Sequence, residues 1–342
     1  MKRSQVGDII NFIYFKNKKI EIDENYLELT RSNVKSIIEL QGLEEKINLI
    51  GLDLFGNEIK EISGLENLIY LEDLSLGNNL ISKIKGLDTF VNLKYLFLNS
   101  NKTEKIEGLN KLRNLEKLDL YLNNIQNISG LSSLTNLRKL DLHNCKITKL
   151  EELSNLKNLR ILDLENNNIK KLEGLEELHN LKSLKLRSNK IEKIEGPEYL
   201  HNLHSLDLHN NKIKEINNLD KLPQLKELFL GGNNIKDIKG LDTLVNLEYL
   251  FLEDNNIEEI KGLDNLKNLS RLSLGNNNIE DLKGLENLNN LYLLYIENNP
   301  FLKKDYFDEI ADITGEGVDA KKGVKFCREK IPYENWKKSW YI

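Results

Sequence analysis

The hydrophobic pattern of the chain repeats every 22 residues from residue 47 to residue 300. Each period contains the arrangement Leu-x-x-Leu-x-Leu, as at Leu71, Leu74 and Leu76, with a ladder residue three positions later. Alternating leucines predict a short strand with one buried face. Strands that recur at a fixed interval stack in parallel, so that each coil buries its leucines only against its neighbours. The pattern therefore predicts a repeat solenoid without insertions or deletions.

The ladder residue that follows each predicted strand is an asparagine in all coils but one. We expect this residue to turn the chain out of the strand and its side-chain amide to bond unpaired backbone groups of adjacent coils. Cys145 occupies the remaining position, where a buried thiol serves as a small, weak donor. A reactive thiol is the alternative interpretation of Cys145. The asparagines of this ladder are Asn57, Asn79, Asn101, Asn123, Asn167, Asn189, Asn211, Asn233, Asn255, Asn277 and Asn299.

A return segment with a recurring isoleucine and a Gly-Leu pair follows the ladder position, as at Ile81, Gly86 and Leu87. We expect the glycine to lie at a turn that needs positive φ or a close backbone approach. Glu152 and Asn218 replace this glycine in two coils. Because 22 residues leave too little chain for a full α-helix, short 3₁₀ turns are predicted on the convex side.

This frame is similar to that of leucine-rich repeat proteins of the 22-residue class. The resemblance implies an α/β solenoid wound as a right-handed superhelix, shaped like a horseshoe or arc, with a parallel β-sheet on its concave face. A solenoid exposes apolar surface at both ends, so caps are required. We predict an N-terminal cap with a degenerate first repeat at 1–46, twelve repeats at 47–300, and a C-terminal helical cap with an aromatic tail at 301–342.

The N-terminal segment has its own pattern. Leu27 and Leu29 resemble the end of a repeat strand, with Ser32 at the ladder position. We expect residues 19–22 to form a hairpin with residues 26–29 and to cover the edge of the sheet. A helix is predicted ahead of them by the spacing of Val6, Ile9, Ile10 and Ile13.

The C-terminal segment begins after Pro300, where the repeat pattern stops. Its apolar spacing predicts two short helices, at 306–313 and 324–327. Trp336 and Trp340 follow, and we interpret them as packing over the last coil. A docking tail is the alternative interpretation of these two tryptophans.

Composition limits the classes of partner and compartment. The formal net charge of −5 and the sequence pI of about 5.8 give no reason to expect nucleic acid or an anionic membrane. No apolar stretch approaches the roughly 18 to 20 residues of a membrane helix. Cys145 and Cys327 are not closely spaced, which argues against a disulfide framework and a cysteine zinc site. The first residues lack the small-residue cleavage site of a secretory signal, so we expect a cytoplasmic protein.

No enzyme motif is present in the sequence. It contains no phosphate-binding loop, no His-Glu-x-x-His motif, no nucleophile elbow and no acidic calcium loop. His201, His204 and His209 lie close together in sequence, but they occupy different positions in the repeat. We therefore do not expect them to converge on a metal ion. The prediction is a non-catalytic protein without a cofactor or a bound metal.

The strand residues that alternate with leucines are predicted to face outward on the concave sheet, and two aromatic groups stand among them. Tyr95 and Phe97 share one strand, whereas Phe229 and Phe251 occupy the same position on adjacent strands. Leucines already fill the core, and exposed aromatic residues are favoured anchors of interaction surfaces. Charged residues lie between the two groups. The predicted partner-binding residues are Phe55, Tyr95, Phe97, Asp119, Tyr121, Asp141, His143, Asp163, Glu165, Arg187, Asp207, Phe229, Tyr249, Phe251 and Tyr295.

The acidic residues of this face favour a partner that carries lysine or arginine and disfavour a nucleic-acid backbone. The return segment resembles that of the leucine-rich repeat regulatory subunit of protein phosphatase 1, and bacterial internalins share the repeat length. The first resemblance implies a monomeric scaffold or regulatory subunit that binds a folded protein, such as a phosphatase catalytic subunit or a small GTPase. The matching residue types are Asp119, Asp141, Phe229, Phe251 and Tyr295. A secreted adhesion module is the alternative.

Overall fold

The computed structural model describes residues 12–285, 287–300 and 318–319. The chain divides into two compact units, Met1–Asp141 and Leu142–Ile342. In both units short strands carry a buried leucine at their centre, and successive strands lie side by side in parallel. The predicted parallel-sheet solenoid is therefore confirmed within each unit.

The first unit contains a two-stranded hairpin and a parallel sheet. The hairpin pairs β1 (Phe12–Phe15) with β2 (Lys18–Glu21) in antiparallel orientation. In the sheet, Leu27 lies opposite Leu52, and Leu52 lies opposite Leu74, so consecutive coils are in register. The strands of this sheet are β3 (Tyr26–Glu28), β4 (Gly51–Asp53), β5 (Asp73–Ser75), β6 (Tyr95–Phe97), β7 (Lys117–Asp119) and β8 (Lys139–Asp141).

The second unit continues the same construction. Each strand pairs in parallel with the next at an interval of one coil, and β16 (Val318–Asp319) pairs antiparallel with the last of them. The parallel strands are β9 (Ile161–Asp163), β10 (Ser183–Lys185), β11 (Ser205–Asp207), β12 (Glu227–Phe229), β13 (Tyr249–Phe251), β14 (Arg271–Ser273) and β15 (Leu293–Tyr295).

The N-terminal hairpin differs from the predicted one. Residues 19–22 do not pair with residues 26–29, because β2 pairs with β1 and β3 joins the main sheet in parallel with β4. Ile13, predicted to be helical, lies in β1, where the side chains of Ile13 and Phe15 are buried at strand spacing. The other predicted terminal features lie outside the described residues: Val6, Ile9, Ile10, the helices at 306–313 and 324–327, Trp336 and Trp340.

The ladder asparagines bond adjacent coils as predicted. The Nδ2 of Asn211 donates to the carbonyl oxygens of Leu208 and Leu186, both at 3.0 Å. Its Oδ1 accepts the backbone N–H of Ile191 at 3.0 Å. Asn101 makes equivalent bonds and is only 9% exposed. A buried amide that satisfies three backbone groups holds consecutive coils at a fixed separation.

The recurring glycine adopts positive φ, as predicted. Gly240 has φ +71°, and a Cβ atom there would lie 2.9 Å from the carbonyl oxygen of Ile216 in the preceding coil. Both the backbone conformation and this contact disfavour a side chain. Glu152 and Asn218 keep the same conformation, each with φ +56°. The Nδ2 of Asn218 also donates to the carbonyl oxygen of Ile194 at 2.7 Å.

In the part of the chain that the structure describes, the regular helical structure consists of 3₁₀ turns, as predicted. The described turns are Ile37–Glu39, Leu43–Glu45 and Pro197–Tyr199. Pro197 stands where other coils have a leucine after the glycine, and its fixed φ suits the first position of a helical turn. No helix among the described residues has the length and apolar character needed to cross a lipid bilayer.

A second, exposed row of asparagines precedes the strands and was not predicted. The Nδ2 of Asn202 donates to the carbonyl oxygen of His179 at 2.8 Å, and that of Asn246 donates to Pro223 at 2.8 Å. The sequence signal is the Asn-Leu pair that opens most strand segments. Members of this row with this bond include Asn92, Asn114, Asn136, Asn180, Asn202, Asn246, Asn268 and Asn290.

Candidate partner-binding face

The predicted aromatic residues of the first unit differ in burial and in their neighbours. The Phe97 ring is partly buried, and the Lys117 Nζ lies 4.3 Å from its centroid. Tyr95, on the same strand, is 39% exposed, and no ring contact joins it to Phe97 among the described residues. Phe55 and Tyr121 are partly buried beyond the ends of β4 and β7. Phe97 is therefore covered in part by a lysine of the next strand, whereas Tyr95 on the same strand is exposed.

The aromatic group of the second unit is a stack. Phe229 and Phe251 lie opposite each other on β12 and β13, and their ring centroids are 5.1 Å apart with 19° between the ring planes. This distance is close to the strand separation of about 4.8 Å, so rings in the same position of adjacent coils meet face to face. The His209 ring extends the stack beyond Phe229 at 5.6 Å.

A cation and two tyrosines flank the stack. The guanidinium carbon of Arg271 lies 4.9 Å from the Tyr249 ring centroid and 5.7 Å from that of Tyr292. The Arg271 Nε also donates to the Tyr292 hydroxyl at 2.8 Å. Sequence reasoning identified Tyr249 but missed Arg271 and Tyr292, although Arg271 stands beside Tyr249 in the repeat. Tyr295 is partly buried on β15, one coil beyond Ser273.

His209 forms the charged centre of this region. Its Nδ1–H donates to Asp207 Oδ1 at 3.0 Å, and its Nε2–H donates to Glu253 Oε1 at 2.8 Å. Burial alone would lower the pKa of His209, but the bonds to the two carboxylates outweigh burial and raise that pKa to about 9. The bond from His209 likewise overcomes the opposing effect of burial and lowers the pKa of Glu253. His209 is therefore a cation at neutral pH.

The predicted aspartate column is buried rather than solvated. Asp119 and Asp141 lie opposite each other on β7 and β8 and are 8% and 7% exposed. Burial, and then the charge of Asp141, raises the pKa of Asp119. Asp163, on β9, forms an ion pair with Lys185, whose Nζ lies 3.0 Å from the Asp163 Oδ2. Asp119 Oδ1 also accepts a hydrogen bond from the backbone N–H of Tyr121 at 3.4 Å. This carboxylate therefore helps to fix the backbone where β7 ends.

The other predicted charged residues of the face differ in accessibility. His143 and Glu165 are partly buried, whereas Arg187 is exposed. Burial, and then the neighbouring charge of Asp163, raises the pKa of Glu165. Arg187 is therefore the most accessible of these three side chains.

The three histidines that lie close together in sequence have separate partners. The His201 Nδ1 lies 3.1 Å from the carbonyl oxygen of Lys221. The His204 Nδ1 lies 2.7 Å from that of Asn202. His209 bonds carboxylates instead. The repeat positions thus direct the three rings to different parts of the coil.

Comparison with known proteins agrees with this construction. A family model described as leucine-rich repeats, two copies, matches about half of the chain, at residues 47–89, 135–177, 179–221 and 223–265. The chain belongs to the leucine-rich repeat proteins. Such folds are typical of protein interaction modules. No curated protein sequence matches this leucine-rich repeat protein.

Several solved structures are similar to it. An internalin of Listeria monocytogenes (InlF) is 34% identical, with 80% of this chain and 81% of that chain covered and a TM-score of 0.73. A leucine-rich repeat protein of Leptospira interrogans is 27% identical, with 80% and 84% covered and a TM-score of 0.62. The ectodomain of an Arabidopsis thaliana receptor kinase, in complex with Casparian strip integrity factor 2, is 24% identical, with 82% and 40% covered and a TM-score of 0.64. The last similarity shows the fold alone.

Proposed function

We propose that this leucine-rich repeat protein binds a folded protein on the exposed face of its parallel sheet, with the aromatic group of the second unit as the anchor. The stack of Phe229 on Phe251 carries the proposal. The fold does not need these rings, because Leu228 and Leu250 already fill the opposite side of the same strands and are fully buried. Clustered aromatic side chains on a rigid surface are favoured centres of protein interfaces.

The polar surroundings support a basic surface on the partner. Glu227, Glu253 and Glu297 lie on the strands of the stack or just beyond them, and Asp207 lies on the strand before it. Opposite charge on a partner would speed association and fix its orientation. We propose a scaffold or regulatory subunit without catalytic activity, located in the cytoplasm. A phosphatase catalytic subunit and a small GTPase are the specific partner classes that the acidic and aromatic residue types support.

A second candidate function is adhesion at a cell surface or in secreted form. The similarity to an internalin, at 34% identity, favours it. The small number of cysteines, two in 342 residues, supports the cytoplasmic proposal instead. Fractionation of the source cells, with detection of the protein in the cytoplasmic and extracellular fractions, separates the two functions.

The test of the proposal is capture of partners from source-cell lysate by the wild-type chain and by a Phe229→Ala, Phe251→Ala, Tyr295→Ala variant. Three exposed tyrosines outside the parallel strands, replaced by alanine together, provide the matched control: Tyr14, Tyr70 and Tyr199. The expected result is a protein retained by the wild type and the control but lost by the folded face variant. Equal retention by all three chains would refute the assignment to this face.

A further inference from the structure

Three basic residues stand side by side where strands of the second unit begin. Arg160, Lys182 and His204 directly precede β9, β10 and β11, and we call them the basic row. The Lys182 N–H donates to the Arg160 carbonyl oxygen at 2.8 Å, and the His204 N–H donates to the Lys182 carbonyl oxygen at 2.9 Å. Neighbouring members are therefore one strand step of about 4.8 Å apart. Arg160 and Lys182 are exposed, and His204 is partly buried.

The same position of the repeat carries paired charges in other coils. There a lysine or arginine of one coil forms an ion pair with a glutamate of the adjacent coil. These pairs are Lys94 with Glu72, at 2.7 Å, Arg138 with Glu116, at 3.3 Å, and Lys226 with Glu248, at 2.8 Å. The geometry of this position thus allows opposite charges on adjacent coils to neutralise each other.

The basic row lacks this neutralisation. Lys182 stands between Arg160 and His204, so neither neighbour at this position is acidic. Within the described residues, neither Arg160 nor Lys182 forms an ion pair. Like charges opposite each other destabilise a sheet, so the fold gains nothing from this pair of cations. An anion bound across them would remove the repulsion.

The surroundings of the basic row favour one class of anion. Asp207 follows His204 by three residues on β11, about 10 Å away, and Glu227 lies opposite Ser205 at the start of the next strand. The whole chain has a formal net charge of −5. A nucleic-acid backbone carries negative charge along its whole length and would be repelled by these acidic neighbours. A protein surface can place carboxylates at the row and neutral or basic side chains beyond it.

We propose that the basic row binds the carboxylates of an acidic segment of the protein partner. This inference rests on the proposed function for the nature of the partner, and it adds a second contact, where the strands begin, to the aromatic anchor. The Arg160 guanidinium can bond a carboxylate through two parallel N–H donors, and the Lys182 ammonium provides a second charge one strand step away. Two contacts of different chemistry fix the orientation of the partner as well as its position.

The row is tested by fluorescence anisotropy, in which the full-length chain is added to a labelled peptide of eight glutamates. We expect saturable binding at low ionic strength that weakens about five-fold or more when salt screens the charges. A peptide of eight glutamines should not bind, and a single-stranded oligonucleotide of eight nucleotides should bind more weakly than the glutamate peptide. Failure of the glutamate peptide to bind, or tighter binding of the oligonucleotide, would overturn the proposal.

Charge reversal locates the peptide on the row. Lys182→Glu should weaken binding at least ten-fold, and its urea midpoint should not fall, because a glutamate between Arg160 and His204 restores the alternation seen in other coils. Lys212→Glu is the matched control. Lys212 is exposed in a return segment outside the sheet and forms no ion pair among the described residues, and its reversal changes the net charge equally. Equal weakening by both variants would contradict the assignment to the row.

The capture assay separates failure of the row from failure of the proposed function. If the Phe229, Phe251 and Tyr295 triple variant loses the partner while Lys182→Glu retains it, the basic row is wrong and the proposed function stands. If Lys182→Glu loses the partner while the triple variant retains it, the aromatic anchor is wrong and the row stands. Loss of the partner by both variants, with retention by Lys212→Glu, is the expected result.

Discussion

His209 Nε2 donates to Glu253 Oε1 at 2.8 Å, although the two residues are 44 positions apart and a complete coil lies between them. Gly231 occupies the intervening position, where a Cβ atom would lie 2.6 Å from Glu253 Oε1 and 2.7 Å from His209 Cδ2. The asparagine bonds described above each connect neighbouring coils. The absence of a side chain at Gly231 thus permits an ion pair that spans three consecutive coils.

The stability of the chain should fall between about pH 6.5 and pH 9 because of His209. The folded pKa of about 9 lies above the ordinary value of 6.5. Below pH 6.5 both folded and unfolded chains bind the proton, and the bridge contributes fully. As the pH rises, the unfolded chain loses the proton first, so the contribution declines and is absent above pH 9. The difference in pKa corresponds to about 3 kcal/mol.

Urea unfolding at about pH 6 and about pH 9.5 measures this effect. The stability difference between the wild type and His209→Gln should shrink by about 3 kcal/mol from the lower to the higher pH. His201→Gln provides the control, because the exposed His201 ring lies against a backbone carbonyl oxygen rather than between two carboxylates. If the free energies of unfolding of the wild type and His209→Gln change with pH in parallel, the bridge does not raise the pKa of His209.

Gly231→Ala should disrupt the bridge, whereas Gly275→Ala should not. A methyl group at Gly231 occupies the space through which His209 reaches Glu253. At Gly275 the three nearest atoms all belong to the carboxylate of Glu297, an exposed side chain that can move aside. NMR titration of the His209 ring should show a pKa closer to 6.5 in Gly231→Ala and an unchanged pKa in Gly275→Ala. The same pKa in both variants would contradict the role of Gly231.

The two rows of asparagines should differ in their contribution to stability. Asn211→Ala leaves two buried carbonyl groups and one buried N–H without their partner, at a cost of about 3 kcal/mol or more. Asn202→Ala removes one exposed bond to His179, and water replaces it at a cost below about 1 kcal/mol. Thermal and urea unfolding of the two variants compare the rows directly. Similar losses of unfolding free energy in the two variants would mean that the burial of an asparagine does not determine its contribution to stability.

Glycine should have opposite effects at the two turns that lack it. Glu152 has φ +56°, so Glu152→Gly should relieve backbone strain and raise the free energy of unfolding by about 1 kcal/mol. Asn218 tolerates this conformation and bonds Ile194, so Asn218→Gly should lower that free energy by about 1 kcal/mol. Urea unfolding of both variants tests the pair, and a change of the same sign in both would refute the argument.

The repeat made most of the fold predictable from the sequence. Leucines such as Leu74 recur at one interval, and the ladder residue and turn glycine recur with them, so many independent positions specify the same coil. The hairpin was not predictable in the same way. The spacing that suggested a helix through Ile13 involved few residues, and the pairing of β1 with β2 prevailed. Periodicity decides a structure only when it is repeated often enough to exclude the alternative.

The candidate face was predictable by position but not by contact. The repeat correctly placed Phe229 beside Phe251, since both follow from strand register. It did not reveal that His209 reaches Glu253 or that Arg271 turns toward Tyr292. Those directions depend on which neighbouring positions are occupied, and a glycine or serine in an adjacent coil redirects a long side chain. Packing between coils decides such contacts, and a one-dimensional pattern does not contain them.

The constant coil length determines how recombination in the gene can change the protein. Every parallel strand from β4 to β8, and likewise from β9 to β15, pairs with the next at an interval of 22 residues. Recombination between two copies of the repeat in the gene would therefore add or delete a whole coil while every ladder and turn retained its partner. Such an event would move an aromatic anchor along the face in steps of about 4.8 Å. Natural variation can thus change the distance between aromatic anchors by whole coils while the fold is retained.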